Sequence, residues 1–142
     1  MKNEFFLGQP NNGWVEIKIG DFKCEASNLS NIPFDILNSA IASLENKIPF
    51  SLNIELEKEG DATICSFFNC TYIIHDNYGQ YQSYRYDINH KEIIHTFVSK
   101  LKKEVNKWCV WDGNEYWDNE EKIENCKKQL LDKINKVEEL LK

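Results

Sequence analysis

Three histidines and five cysteines are the residues of this sequence with the most obvious capacity for chemistry. His90 and His95 are five residues apart, which would place them about 140° apart on a helix rather than on one ligand face. Glu92 and His95 could share a face, but two protein ligands do not hold a catalytic zinc ion. The sequence also contains no Walker-type loop, no GxGxxG and no GxSxG. We therefore predict no metal site, no cofactor and no catalytic set.

The cysteines favour core packing over nucleophilic chemistry. Cys65 and Cys70 flank a short segment ahead of His75, and a thiol nucleophile needs such a histidine held close to it. Both cysteines are bounded by Phe and Ile, however, and cysteine is among the most buried residue types. The total of five is odd and contains no CxxC pair, which indicates reduced thiols and a cytoplasmic protein.

A tyrosine-rich stretch follows the cysteines. Its members are Tyr72, Tyr78, Tyr81, Tyr84 and Tyr86, with the single arginine of the chain, Arg85, among them. Tyrosine is a favoured strand residue whose hydroxyl can stay hydrated, and this structural interpretation is the simpler one. Exposed tyrosines also form binding faces. A small enzyme or ligand binder using these strands would need a pocket in which His75, Tyr84 and a cysteine converge.

An acidic aromatic segment lies between the last two predicted helices. Its candidate partner-binding residues are Trp111, Asp112, Glu115, Tyr116, Trp117, Asp118, Glu120 and Glu121. Aromatic anchors inside an acidic rim are typical of protein-binding hot spots. The alternative is that the tryptophans fill a junction between helices while the acids favour the N-terminus of the last helix. The sequence alone leaves both open.

The charge distribution indicates the kind of partner. The net charge is −6, and residues 112–121 contain five acids and no base. Nucleic acid needs clustered positive charge, so we expect no nucleic-acid binding. An acidic surface favours a basic protein partner. The first residues lack the pattern of a signal peptide, and no apolar run reaches the ~20 residues that span a bilayer, so we expect no membrane association.

The residue pattern predicts one α+β domain over residues 1–142, in the order ββαββββαα. After a loose lead-in (1–12), Trp14 to Ile19 and Phe22 to Ala26 alternate around Gly20-Asp21, which predicts a hairpin with a type II′ turn. Ser30 to Pro33 predicts a helix start, and Pro49 a helix end. Alternation from Ser51 to Tyr86 then predicts a meander, which completes an antiparallel sheet of about six strands with the helices packed on it.

Two helices complete the predicted order. Asn89 with Glu92 three residues later is consistent with a helix cap. The last helix is predicted over residues 119–141, because its apolar positions step by three and four from Ile123 to Leu141. That stripe is long enough to dock along a sheet or to pair with a second copy.

Three of these segments resemble a known class of domain. The hairpin Trp14 to Phe22, the helix Phe34 to Ala40 and the helix Glu92 to Leu101 are similar to small uncharacterised bacterial domains that look like immunity proteins and accompany polymorphic toxin genes. The resemblance covers residues 13–105, and the helix from Glu120 has no counterpart in it. A bacterial origin also agrees with sixteen asparagines and sixteen lysines in the chain, which indicate an AT-rich genome. The resemblance implies a domain that binds and neutralises a toxin.

Three functional hypotheses follow. The leading one is a non-enzymatic, immunity-like protein that binds a basic partner, such as a nuclease toxin domain, through the acidic aromatic segment. The second is the small enzyme or ligand binder with His75. The third is a homodimer formed through the last helix.

Overall fold

A computed structural model describes residues 5–11, 13–28, 31–110 and 120–142 of the chain. Seven strands, four helices and one 3-10 turn (Glu57–Glu59) occur in the described residues. The strands are β1 (Phe5–Leu7), β2 (Trp14–Ile19), β3 (Phe22–Ser27), β4 (Phe50–Glu55), β5 (Asp61–Ser66), β6 (Thr71–Asn77) and β7 (Gln80–Tyr86). The helices are α1 (Ile32–Asn46), α2 (His90–Lys103), α3 (Val105–Trp108) and α4 (Glu120–Leu141).

The predicted α+β class, the order of the main elements and the long C-terminal helix are confirmed. The six predicted strands belong to two antiparallel sheets rather than one, with orders β1-β2-β3 and β4-β5-β6-β7. The short strand β1 comes from the expected lead-in and pairs with β2. The stretch from Ala62 to His75 forms two strands, β5 and β6, rather than one bent strand.

Two-residue turns close the two tightest hairpins. Gly20 has a φ of 55° between the paired residues Ile19 and Phe22, and a positive φ at the first turn residue is what a type II′ turn requires. The β6–β7 turn has positive φ at both Tyr78 (52°) and Gly79 (93°), as a type I′ turn requires.

The helices form two layers over the sheets. Helix α1 contacts β4, helix α2 contacts β1, and Phe97 of α2 packs against Phe50 of β4 with ring centroids 6.0 Å apart. The Asn89 cap is confirmed, because its side chain accepts a hydrogen bond of 2.9 Å from the Glu92 amide. At the start of α1 the N-cap is Asn31, without a side-chain cap bond, and Ser30 lies outside the described residues.

The apolar stripe of α4 packs against other helices of the same chain. Leu130, Ile134 and Val137 are buried, and α4 contacts α1 and α2 rather than a sheet. Two ion pairs follow the same two contacts, from Lys102 to Glu138 and from Lys136 to Glu45, each at 3.1 Å. Because these pairs are solvent-exposed, packing of the stripe stabilises the contact more than charge does.

One tyrosine joins the two sheets. The Tyr86 hydroxyl at the end of β7 accepts hydrogen bonds from the amides of Asp21 (3.1 Å) and Phe22 (3.2 Å) in the β2–β3 hairpin. Gly20 allows this approach, because a Cβ at that position would lie 2.3 Å from Tyr86 Cε1. These hydrogen bonds fix the tip of the β2–β3 hairpin against the four-stranded sheet.

Replacing this hydroxyl should destabilise the fold. Tyr86→Phe removes the hydroxyl that accepts from the Asp21 and Phe22 amides, which costs roughly 0.5–1.5 kcal/mol for each hydrogen bond lost. Guanidinium unfolding measures the difference, and Tyr81→Phe is the control because Tyr81 is 70% exposed. Equal free energies of unfolding for Tyr86→Phe and the wild type would contradict the assigned role of the hydroxyl.

Candidate protein-binding face

The four-stranded sheet has one buried and one exposed face. Alternate residues of β4, such as Leu52 and Ile54, are buried, while Asn53 and Glu55 between them are exposed. The same alternation continues through β5 and β6. We call the exposed side the outer face; its residues are Ser51, Asn53, Glu55, Asp61, Thr63, Cys65, Tyr72, Ile74, Asp76, Tyr81, Ser83 and Arg85.

Strand register orders the outer face into three rows that run across the sheet. The first row contains Glu55, Asp61, Asp76 and Tyr81; the second Asn53, Thr63, Ile74 and Ser83; the third Ser51, Cys65, Tyr72 and Arg85. Side chains directly opposite on neighbouring strands have Cβ atoms about 4.5–5.5 Å apart. The face therefore presents a regular arrangement of charge and apolar surface.

Three neighbouring carboxylates form the charged side of this face. Glu55, Asp61 and Asp76 follow one another on adjacent strands, and we call them the carboxylate row. Like charges placed opposite each other destabilise a sheet. The Asn53 amide donates to Asp61 at 2.6 Å, and the Gly79 amide donates to Asp76 at 2.9 Å, which holds these two carboxylates in place. A row of this kind attracts cationic groups.

Apolar surface lies beside the carboxylate row. Ile74 is 46% exposed, Tyr72 39% and Tyr81 70%. Eight large hydrophobic residues are exposed in the described part of the chain, and six of them lie between residues 67 and 81. Three of these six, Tyr72, Ile74 and Tyr81, share the outer face, and such clustering is typical of a binding surface rather than of scattered surface residues.

The β5–β6 turn extends the apolar surface. Phe67 contacts the Tyr72 ring edge-on, with centroids 6.0 Å apart, and Phe68 is 56% exposed beside His90. Tyr72 also contacts Arg85, its neighbour in the third row. A hydrogen bond with Tyr72, followed in size by one with Asp87, raises the pKa of Arg85.

The predicted partner-binding residues are only partly described. Trp111, Asp112, Glu115, Tyr116, Trp117 and Asp118 lie outside the described residues. Glu120 and Glu121 are exposed in the first turn of α4. Immediately before the segment, Trp108 is buried at the end of α3, which agrees with the packing interpretation for that tryptophan.

The five tyrosines of the tyrosine-rich stretch divide between different environments. Tyr72 and Tyr81 belong to the outer face, whereas Tyr84 and Tyr86 point to the opposite side of the sheet. The Tyr78 hydroxyl, in the β6–β7 turn, donates to the Glu57 carbonyl. Sequence reasoning weighed these tyrosines as one group and missed the carboxylate row, since both depend on strand register.

His75 and Tyr84 both lie beside the Phe22 ring. The centroid distances are 6.4 Å to His75 and 5.4 Å to Tyr84, and His75 Nε2 is 2.7 Å from the Glu59 carbonyl oxygen. This carbonyl is an acceptor, so His75 donates to it through Nε2. The imidazole is thus held by backbone and aromatic contacts.

Cys24 borders a cavity of about 560 Å³. Trp14, Leu56 and Glu59 also line this cavity. Burial, with smaller contributions from nearby glutamates, raises the pKa of Cys24 to about 12. A thiol with this pKa stays protonated at neutral pH, and the thiolate is the nucleophilic form.

A second cavity, of about 490 Å³, lies where α1, α2 and α4 meet the β5–β6 turn. Lys47, Lys91 and Leu140 line it together with His90, which is 9% exposed. His90 Nδ1 is buried without a hydrogen-bond partner. Burial and the Lys91 charge lower the pKa of His90.

No metal-binding group of three or more His, Cys, Asp or Glu side chains occurs among the described residues. None of the described helices is both long enough and apolar enough to cross a bilayer. Comparison with protein-family models finds no match, and neither a curated protein nor a solved structure matches the chain.

The His90 environment predicts a pH dependence of stability. Its pKa in the folded chain lies below the unfolded value of about 6.5, so the unfolded chain takes up the proton first as the pH falls. His90 therefore leaves the free energy of unfolding at its full value above that pH and lowers it as the pH falls below that value. Thermal unfolding at pH 7.5 and pH 5.0 should show a smaller loss of Tm in His90→Leu than in the wild type.

The exposed His95 supplies the control for this measurement. His95→Leu should retain the wild-type difference between the two pH values. An unchanged difference in His90→Leu would show that burial of His90 does not affect stability in this range.

Proposed function

We propose that this protein is a non-enzymatic protein-binding domain whose outer face recognises a basic protein surface. The observation that carries the proposal is the carboxylate row, which lies beside the exposed Ile74 and Tyr81 on a face that also exposes Tyr72. Apolar and aromatic side chains provide most of the energy of a typical interface, and charges set its specificity and association rate.

The chemistry of the face defines the partner. Lysine or arginine side chains would pair with Glu55, Asp61 and Asp76, and their arrival would relieve the repulsion between neighbouring carboxylates. An apolar patch beside those cations would cover Ile74. The acidic segment at residues 112–121 would add further negative charge to the same partner or contact a different part of it.

Neutralisation of a toxin is the biological form that we propose for this binding. A nuclease domain carries cationic groups for phosphate, and an acidic binding protein can occupy those groups. The likeness of residues 13–105 to immunity-like domains supports this part of the proposal.

Ile74 provides the most selective test, because Ile48 is its matched control. The two isoleucines are 46% and 47% exposed, and only Ile74 belongs to the outer face. The immobilised wild-type chain would capture partners from an extract of the source organism, and calorimetry would then measure the purified partner. We expect Ile74→Asp to weaken binding at least about 10-fold, as loss of a central apolar contact does.

Ile48→Asp should bind the same partner within about twofold of the wild type, since a peripheral substitution usually changes affinity little. Wild-type affinity in Ile74→Asp would show that the outer face does not bind this partner. Circular dichroism confirms that both variants are folded.

The carboxylate row gives a second prediction, about salt. Replacing Glu55 with Gln and both Asp61 and Asp76 with Asn should weaken binding and reduce its dependence on ionic strength, because exposed charge pairs are screened by salt. Isothermal titration at 50 and 300 mM salt measures both effects.

A matched variant of the other acidic surface separates the two candidate sites. It carries Asp112→Asn, Glu115→Gln and Asp118→Asn and removes the same number of charges. If this variant alone loses affinity and salt dependence, the partner uses residues 112–121, and the outer-face proposal is wrong.

A further inference from the structure

Strand β7 ends the four-stranded sheet with a long open edge. It spans seven residues, pairs with β6 along its whole length, and is the last strand in the order β4-β5-β6-β7. Gln80, Tyr81, Gln82 and Ser83 are all exposed. Long edges of this kind are templates for pairing with another strand.

The turn geometry determines which backbone groups point outward. A two-residue type I′ turn is flanked by a hydrogen-bonded pair, which here is Asn77 with Gln80. Hydrogen-bonded pairs alternate along an antiparallel ladder, so Gln80, Gln82, Tyr84 and Tyr86 direct their backbone groups toward β6. The N–H and C=O groups of Tyr81, Ser83 and Arg85 therefore face away from it.

The features that protect sheet edges are missing from β7. Its sequence, QYQSYRY, contains no lysine and no proline, and its register with β6 runs without a bulge. The other described edges differ, since β1 has three residues, β3 and β4 contact each other, and α1 also contacts β4. This contrast makes β7 the edge best suited to pairing.

We propose that β7 pairs antiparallel with β7 of a second copy of this chain, around a two-fold axis at Ser83. In this register Ser83 faces the partner's Ser83, and Tyr81 faces the partner's Arg85. All three outward-facing residues of each strand then meet outward-facing residues of the other, and the two sheets join into one of eight strands.

Charge complementarity supports a second copy as the occupant. The row of Glu55, Asp61, Asp76 and Tyr81 would continue directly into the partner's Arg85. The guanidinium would lie against the Tyr81 ring and extend across it toward Asp76 on the neighbouring strand. Both the ring and the carboxylate would attract it. By symmetry the same contact forms twice.

The structure offers little resistance to this pairing. Arg85 now binds Asp87 at 2.8 Å and also hydrogen-bonds with Tyr72, but the Arg85 and Asp87 side chains are largely exposed, so these contacts contribute little. Ser83 is small, which leaves room at the axis where two identical side chains meet. The pairing uses backbone groups of the edge and does not depend on the proposed basic partner.

Ser83→Pro tests the proposal directly. The Ser83 amide points outward, so proline removes no hydrogen bond within the chain but blocks the centre of the new ladder. Sedimentation equilibrium from 10 to 200 µM, at 0.15 M salt, should show a concentration-dependent dimer for the wild type. We expect Ser83→Pro to weaken dimerisation at least 10-fold, and Ser83→Thr, which keeps the amide, to stay within threefold.

A charge variant checks the register. Arg85→Glu should also weaken the dimer at least 10-fold, because it sets a carboxylate beside the partner's Tyr81 and acidic row. Adding Asp76→Arg to Arg85→Glu should restore most of the affinity. A monomeric wild type at 200 µM, or a dimer that Ser83→Pro leaves unchanged while its circular dichroism is native, would overturn the proposal.

Discussion

Backbone pleating places successive side chains of a strand on opposite faces, and in β4 to β6 the apolar residues fall almost entirely on one of them. That face covers the core, together with α1 and α2, and the other face stays in solvent. Most other features of the molecule depend on the fact that only one face of this sheet is covered. It exposes Ile74 and Tyr72, and it aligns three carboxylates on adjacent strands.

The two sheets are held in their relative position by contacts near the end of β7. The Tyr86 hydroxyl binds the amides of Asp21 and Phe22, and the Phe22 ring packs against Tyr84 and His75. These contacts join residues more than fifty positions apart in the chain. They occupy the inner side of β6 and β7, which leaves the outer side for binding.

Local features were predictable from the sequence, because they depend on neighbouring residues. The Gly20-Asp21 hairpin, the Asn89 cap and the stripe of α4 follow from turn chemistry, capping and periodicity. The division into two sheets and the partners of α4 were not predictable, since they depend on long-range packing. The carboxylate row was invisible for the same reason: Glu55, Asp61 and Asp76 become neighbours only through strand register.

Two of the potentially reactive side chains are held by their surroundings. Cys24 is held as a protonated thiol, and His75 is held by the Glu59 carbonyl and by Phe22. Tyr72, Ile74 and Tyr81, by contrast, remain accessible on the outer face. Oxidative footprinting of the chain with and without its captured partner tests the proposed binding at this face most directly. The account predicts lower oxidation of Tyr72 and Ile74 in the complex and unchanged oxidation of Trp14, whereas protection confined to other residues would contradict it.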